Sequence, residues 1–247
     1  MGNYWDLLKR YYPFTTEEIK AMIISVFALT LIVAFNDKSE TFELGHWMGN
    51  FLMWLGIVAV SFLVFQTGHR LAGIKVGYKV EYQLWWYGLL FGLVVMLLSR
   101  GSVWILIPGG IWIHHLAVHR LGRFRYGPNV FSFSMVALCG PLACLLFGGF
   151  IKTLEVWFGF SLFGPEFVHN IFLFNLAFAA YSLLPIPPLA GSRILFHSRM
   201  IYALALGTFA SYAILITLRV YSFIYAVIIG ILVWLIYYIW FEKKVKA

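Results

Sequence analysis

The sequence predicts an all-α polytopic membrane protein, and three observations lead to that fold class. Hydrophobic residues make up 62% of the 247 positions and charged residues only 11%, whereas a soluble domain is about half apolar and about a quarter charged. The apolar residues also fall into six long runs. Lys and Arg residues collect at the ends of those runs and form no solvated stripe, so the net charge of +8 favours a lipid bilayer partner and excludes nucleic acid.

The six runs predict about six transmembrane helices, since a crossing needs about 17–25 apolar residues. The runs are Ala21–Phe35, Trp47–Phe65, Phe131–Ile151, Val168–Leu184, Ile201–Leu218 and Val220–Phe241. The first run is short for a crossing. Thr15 followed by Glu18 fits a capping box, however, and this box would start the first helix several residues before the apolar run.

A seventh apolar stretch, Leu84–Ile113, is interrupted by Ser99-Arg100-Gly101 and by Pro108-Gly109-Gly110, so neither half can cross alone. If the stretch returns to the side it came from, fifteen of the eighteen basic residues lie on the cytoplasmic side with both termini. A crossing here would destroy that asymmetry. We therefore expect a re-entrant or interfacial helix followed by a short membrane-embedded β-hairpin, which other parts of the protein must cover. The predicted location is the cell membrane.

Three sequence stretches carry the candidate chemistry. They are Phe65–Ala72 at the end of the second run, Leu138–Leu145 in the third, and Asn175–Gly191, which ends in the residues PIPPLAG. Together they resemble the site-2 protease family of intramembrane zinc metalloproteases, whose motifs are HExxH, GPxxN and NLLPxPPLDG. The bridging segment Gly77–Gly127 looks like an archaeal branch of that family.

The resemblance implies a single integral membrane domain over residues 1–247. A site-2 protease-like core would cover about 47–193, and residues 194–247 would add two C-terminal transmembrane helices. In the family pattern, the two His residues of HExxH hold zinc from one helical face and the Glu acts as general base. The Asp of the LDG loop would be the third ligand, which leaves one position open for water and substrate.

Five positions of this pattern carry a different residue type here. They are Phe65 for the first His, Gln66 for the Glu, Ala190 for the Asp, and Cys144 and Ser182 for two Asn residues. Only His69 is retained from the metal ligands and base. One imidazole cannot hold catalytic zinc, and a Gln side chain cannot accept a proton. Five departures together favour a lineage that has abandoned the reaction, although Glu-to-Gln and Asp-to-Ala are also common engineered changes.

The predicted function is therefore that of a catalytically inactive pseudoprotease without a cofactor. It would bind transmembrane segments or act as a scaffold or subunit of a membrane complex with other membrane proteins. The retained frame predicts a substrate groove between helices. Its candidate residues are Gly140, Pro141, Asn175, Pro185, Pro187 and Pro188.

The alternative is an active intramembrane zinc metalloprotease with a non-standard ligand set. Its candidate ligands are His69, His114, His115 and His119. A helix through His115 and His119 would present both imidazoles on one face, because the two positions are i and i+4. The competing interpretation of this segment is a basic, aromatic loop at the lipid headgroups. A transporter or lipid-binding role ranks last, since the apolar runs contain almost no ionisable residues.

Overall fold

The computed structural model describes residues 2–36, 43–115, 130–159, 164–217 and 223–242. Within those residues the chain is mostly helical and contains one small antiparallel sheet. The elements in chain order are α1 (Gly2–Tyr11), α2 (Thr16–Ala34), α3 (Leu44–Val76), β1 (Tyr78–Leu84), α4 (Trp86–Leu98), β2 (Gly109–His115), α5 (Val130–Phe158), α6 (Pro165–Ser182), α7 (Ala190–His197), α8 (Arg199–Thr217) and α9 (Phe223–Tyr237), which continues as a π-helix over Tyr238–Glu242.

Three helical segments among the described residues are long and apolar enough to cross a membrane: Leu44–Val76, Phe131–Phe158 and Ile224–Phe241. The last of these leaves large apolar side chains uncovered, and Ile224 and Trp240 are 70% and 67% exposed. A contiguous exposed apolar surface of this kind marks contact with lipid or with another protein. The chain is therefore a membrane protein.

The predicted capping box at the start of α2 is confirmed. The Thr15 side chain accepts a hydrogen bond from the Glu18 backbone amide at 3.3 Å. The Glu18 carboxylate accepts one from the Thr15 backbone amide at 2.9 Å. The box satisfies two of the amides that a helix start leaves without partners. As a result α2 begins at Thr16, ahead of the apolar run.

The predicted position of the β-hairpin in the chain is partly wrong. Both strands were expected to follow the interfacial helix, but β1 precedes α4 and β2 follows it, and the two pair antiparallel. The sequence of β1 explains the difference, because its first five residues alternate between buried and partly exposed positions, as in a half-buried strand. Pro108 is therefore not in a hairpin turn. Its carbonyl accepts from the Trp85 amide at 3.0 Å and closes the loop that carries α4.

The end of this strand bears on the alternative histidine ligands. His115 is the last residue of β2. His119 itself lies outside the described residues.

The core lies between α3 and α6 and is built around three fully buried aromatic rings. Phe62 and Phe174 both stack on Phe178, with ring centroids 5.9 and 5.7 Å away. Helix α5 approaches α3 closely at Gly68, where a Cβ atom would lie 2.7 Å from the Cys139 carbonyl oxygen. Small residues permit such close contacts between membrane helices. This contact brings the amino-terminal half of α5 against the candidate site on α3.

Candidate functional site

Helix α3 carries three candidate residues near its C-terminal end, and all of them are buried. Phe65, Gln66 and His69 are 8%, 1% and 0% exposed. Positions 65 and 69 share one helical face, the spacing at which two metal ligands would meet. Here that spacing places an aromatic ring against the imidazole, with the ring centroids 4.6 Å apart and the rings nearly perpendicular.

The His69 ring has one hydrogen-bond partner among the described residues. Its Nδ1 lies 2.8 Å from the Val136 carbonyl oxygen, and because a carbonyl only accepts, Nδ1 carries the proton and donates. The other nitrogen, Nε2, is buried without a hydrogen-bond partner among the described residues. It faces Gly140, where a Cβ atom would lie only 2.1 Å from it. This is the orientation of a metal-ligating His, whose second nitrogen a carbonyl often holds.

Helix α7 brings a cation to the same region. Arg193 donates from Nη2 to the Ile111 carbonyl oxygen of β2 at 2.5 Å. Helix α7 begins at Ala190, which is buried and offers only a methyl group. Where the family resemblance expects an anionic ligand, the chain therefore has an apolar side chain and, one helical turn away, a positive charge.

A cavity of about 10 Å³ lies next to Gln66. Its walls include Phe65, Tyr82, Ser182 and the backbone of Gly109. A volume of this size holds about one water molecule. The Gln66 Nε2 atom has no hydrogen-bond partner among the described residues. Ser182 donates to the Ala179 carbonyl oxygen at 2.7 Å, so its hydroxyl is engaged within its own helix.

Asn175 and Cys144 meet at a residue that the sequence analysis missed. The Asn175 amide donates to the Ser61 hydroxyl and to the Ile171 carbonyl, both at 2.8 Å. The Cys144 thiol lies 3.6 Å from the Ser61 carbonyl oxygen. All of these side chains are fully buried. Ser61 ties three helices together, and no spacing in the sequence points to it, because its partners are more than eighty residues away.

The proline-rich loop lies against the sheet. A Cβ atom at Gly110 would come within 2.4 Å of the Pro188 carbonyl oxygen, so the loop and β2 are in close contact. Pro185 and Pro187 are exposed. Gly140 and Pro141 are instead buried within α5. The predicted groove residues therefore separate into a buried set around α3 and an exposed set beside β2.

The described residues do not bring the alternative histidine ligands together. His114 is 47% exposed and its Nε2 lies 3.6 Å from the Glu81 carboxylate, whereas His69 is fully buried. Within the described ranges, no three His, Cys, Asp or Glu side chains are grouped so that they could hold a metal ion. His119 is outside those ranges, and the His115 side chain is not described.

The residues that the structure describes around His69 do not fit the zinc ion that the family resemblance implies. A catalytic zinc needs three protein ligands and an open position. The described centre offers one buried imidazole nitrogen, an aromatic ring at position 65, a methyl group at position 190 and, one helical turn after that methyl group, a guanidinium. A cation beside the site also opposes the binding of a second cation.

Comparison with known proteins finds a distant relative. No protein-family model and no solved structure matches the chain. A protein of Methanocaldococcus jannaschii, named "Putative zinc metalloprotease MJ0611", is 28% identical over 204 residues, which cover 78% of this chain and 91% of that protein. The chain is a distant homologue of it. The printed name agrees with the resemblance to intramembrane zinc metalloproteases.

Proposed function

We propose that the chain crosses the membrane six times, with both termini in the cytoplasm, and that α4 with the β1–β2 sheet lies at the cytoplasmic end of the bundle. The crossings beyond the three segments described above would be the apolar runs in α2, α6 and α8. These helices have 18 or 19 residues. At 1.5 Å per residue they extend about 27–29 Å, close to the thickness of the hydrocarbon core.

Fusion reporters test this topology. A fluorescent protein that folds only in the cytoplasm should be bright when it is fused at either terminus. A periplasmic-type reporter should be active when it replaces the segment after α2 or the segment between α5 and α6. Activity of that reporter at the carboxyl terminus would contradict the six-crossing arrangement.

We further propose that the protein is a pseudoprotease, which binds a transmembrane segment or an extended peptide without hydrolysing it. It would act as a scaffold or as a subunit of a membrane complex. The packing of His69 carries the proposal: its one free nitrogen faces Gly140, and the Phe65 ring stands where a second ligand would be needed. Gln66 in place of a carboxylate leaves no general base beside it.

The surface proposed for peptide binding lies beside this centre. The β1–β2 sheet, the exposed prolines at 185 and 187, and the contact between Pro188 and Gly110 form a surface where an extended segment could pair with backbone groups. Such pairing needs neither a metal nor a base. The retained imidazole is then a packing residue of the scaffold.

Zinc analysis and a cleavage assay test the pseudoprotease proposal. Protein purified in detergent without chelators, and then exposed to excess zinc and desalted, should hold far less than one zinc per chain. It should leave a model transmembrane substrate intact while retaining the substrate in a pull-down. Stoichiometric zinc together with cleavage would overturn the proposal and revive the alternative ligand set of His69, His114, His115 and His119.

A further inference from the structure

Strand β2 has one edge that is not paired with β1. The Tyr82 amide donates to the Glu18 carboxylate at 2.9 Å, away from β2. Tyr82 is paired with Ile111, so this is a pair without mutual hydrogen bonds, and the backbone groups of Ile111 face outward. By the same alternation those of Ile113 also face outward. Among the described residues, no backbone group bonds to either of them from that side.

Arg193 occupies this outer edge. Its guanidinium donates to the outward Ile111 carbonyl oxygen at 2.5 Å. Burial lowers the pKa of the Arg193 guanidinium, but an Arg side chain stays protonated at neutral pH. A carbonyl oxygen satisfies one of its five N–H donors and does not neutralise its charge. The side chain thus carries an uncompensated positive charge next to the strand edge.

No carboxylate is available to Arg193 in the described part of the chain. Glu18, which contacts the Tyr82 amide, and Glu81 of β1 form ion pairs with Arg70 and with Lys79. The segment 116–129, which follows β2, contains no Asp or Glu in the sequence. A partly buried guanidinium without an acidic partner is costly unless a ligand supplies one.

We propose that Arg193 recognises a carboxylate on an extended peptide segment that adds to the outer edge of β2. This inference rests on the proposed function and names the chemistry of the ligand. The incoming carboxylate would accept two parallel hydrogen bonds from the guanidinium. Arg193 would then release the Ile111 carbonyl, which becomes the acceptor for a backbone amide of the added strand. Arg193 therefore closes the edge until an acidic segment exchanges with it.

Binding of matched peptides to the full-length protein in nanodiscs tests the inference. The probe is a short fluorescent peptide of alternating Thr and Val with a Lys at each end, a blocked amino terminus, an amidated carboxyl terminus and a central Glu. Its partner has a central Gln instead. We expect the Glu peptide to bind about tenfold more tightly, which corresponds to about 1.4 kcal/mol. A third peptide, with the central Gln and a free carboxyl terminus, distinguishes a side-chain carboxylate from a terminal one.

Variants test whether Arg193 is the residue that recognises the peptide carboxylate. Arg193→Gln should bind the Glu and Gln peptides equally, while Arg193→Lys should keep part of the preference. Arg199→Gln removes a charge from the exposed start of α8 and should retain the full preference. Size-exclusion profiles confirm that each variant is folded, and the comparison of peptides on the unaltered protein stands without any variant.

The outcomes separate the two proposals. Equal binding of the three peptides to the unaltered protein would refute carboxylate recognition and leave peptide binding intact. A preference that survives Arg193→Gln would place the recognition elsewhere. Failure of every peptide to bind would count against the proposed binding function as well as this inference.

Discussion

The Glu18 carboxylate and the Arg70 guanidinium form an ion pair whose side chains are only 5% and 3% exposed. Arg70 also donates to the Tyr12 and Pro13 carbonyl oxygens at 2.8 and 3.1 Å, and its guanidinium lies 4.0 Å from the centre of the Phe14 ring. The pair joins the segment before α2 to the end of α3 and to β1. It holds these segments together next to the candidate site.

Removal of one partner of this pair should be strongly destabilising. We expect Arg70→Ala to lower the free energy of unfolding by about 3–5 kcal/mol, because Glu18 would be left buried without a counter-charge. Thermal unfolding in detergent measures the effect. Lys79→Ala is the matched control, since the Lys79–Glu81 pair is about one-third exposed and such pairs contribute about 0–1 kcal/mol. Equal shifts for the two variants would contradict the buried-pair argument.

The same pair should make stability depend on pH. Glu18 precedes the apolar run of α2, and burial alone would raise its pKa. Hydrogen bonds from Thr15, Arg70 and Tyr82 outweigh burial and hold the pKa below its ordinary value of 4.5. The stabilisation is therefore complete above pH 4.5 and is lost as the pH falls toward the lowered pKa of the folded state.

Unfolding temperatures measured between neutral pH and about pH 3 check this expectation. The unaltered protein should lose stability below about pH 4.5, and Glu18→Gln should show a smaller loss over the same range. A Glu17→Gln variant serves as control, because Glu17 is exposed. If Glu18→Gln followed the same pH profile as the unaltered protein, Glu18 would not be the titrating group.

Gly140 should not accept a side chain. A Cβ atom there would meet the His69 Nε2 at 2.1 Å, so Gly140→Ala must displace the imidazole or separate α3 from α5. We expect a loss of about 1–3 kcal/mol or more, as for other overpacked cores. Gly56→Ala in α3 is the control, since a Cβ atom there meets nothing within 4 Å. That variant should be neutral or slightly stabilising in the same unfolding measurement.

Placing the donors of the family pattern at positions 65, 66 and 190 should create a metal site. The triple variant Phe65→His, Gln66→Glu and Ala190→Asp would supply two imidazoles at i and i+4, a base and a carboxylate. We expect zinc content to rise toward one per chain by elemental analysis. Adding His69→Ala to the triple variant should abolish that gain. Absence of zinc in a folded triple variant would show that the frame around His69 no longer has ligand geometry.

Local patterns predicted only part of this structure. Thr15 and Glu18 predicted the start of α2, because a capping box involves residues three positions apart. The alternation in Tyr78–Leu84 also indicates strand β1, although the prediction placed both strands after α4. In each case the interacting residues are close in sequence, so the pattern is visible without the fold.

The sequence indicated which residues belong to the candidate site, but it did not indicate which atoms they contact. The motif spacing located Phe65, His69 and Gly140. The Val136 carbonyl on Nδ1 of His69 and the Arg193 contact to Ile111 join residues 67 and 82 positions apart. Such contacts depend on how helices pack, and neither propensity nor periodicity encodes them. Ser61 was missed for the same reason.

The position of Gly140 beneath the His69 ring has one more consequence. A glycine is needed at this position of α5 for steric reasons, since the imidazole occupies the space that a Cβ atom would fill. That packing demand is independent of hydrolysis. A glycine opposite this histidine is thus a sign of shared architecture, and it says nothing about whether peptide bonds are broken.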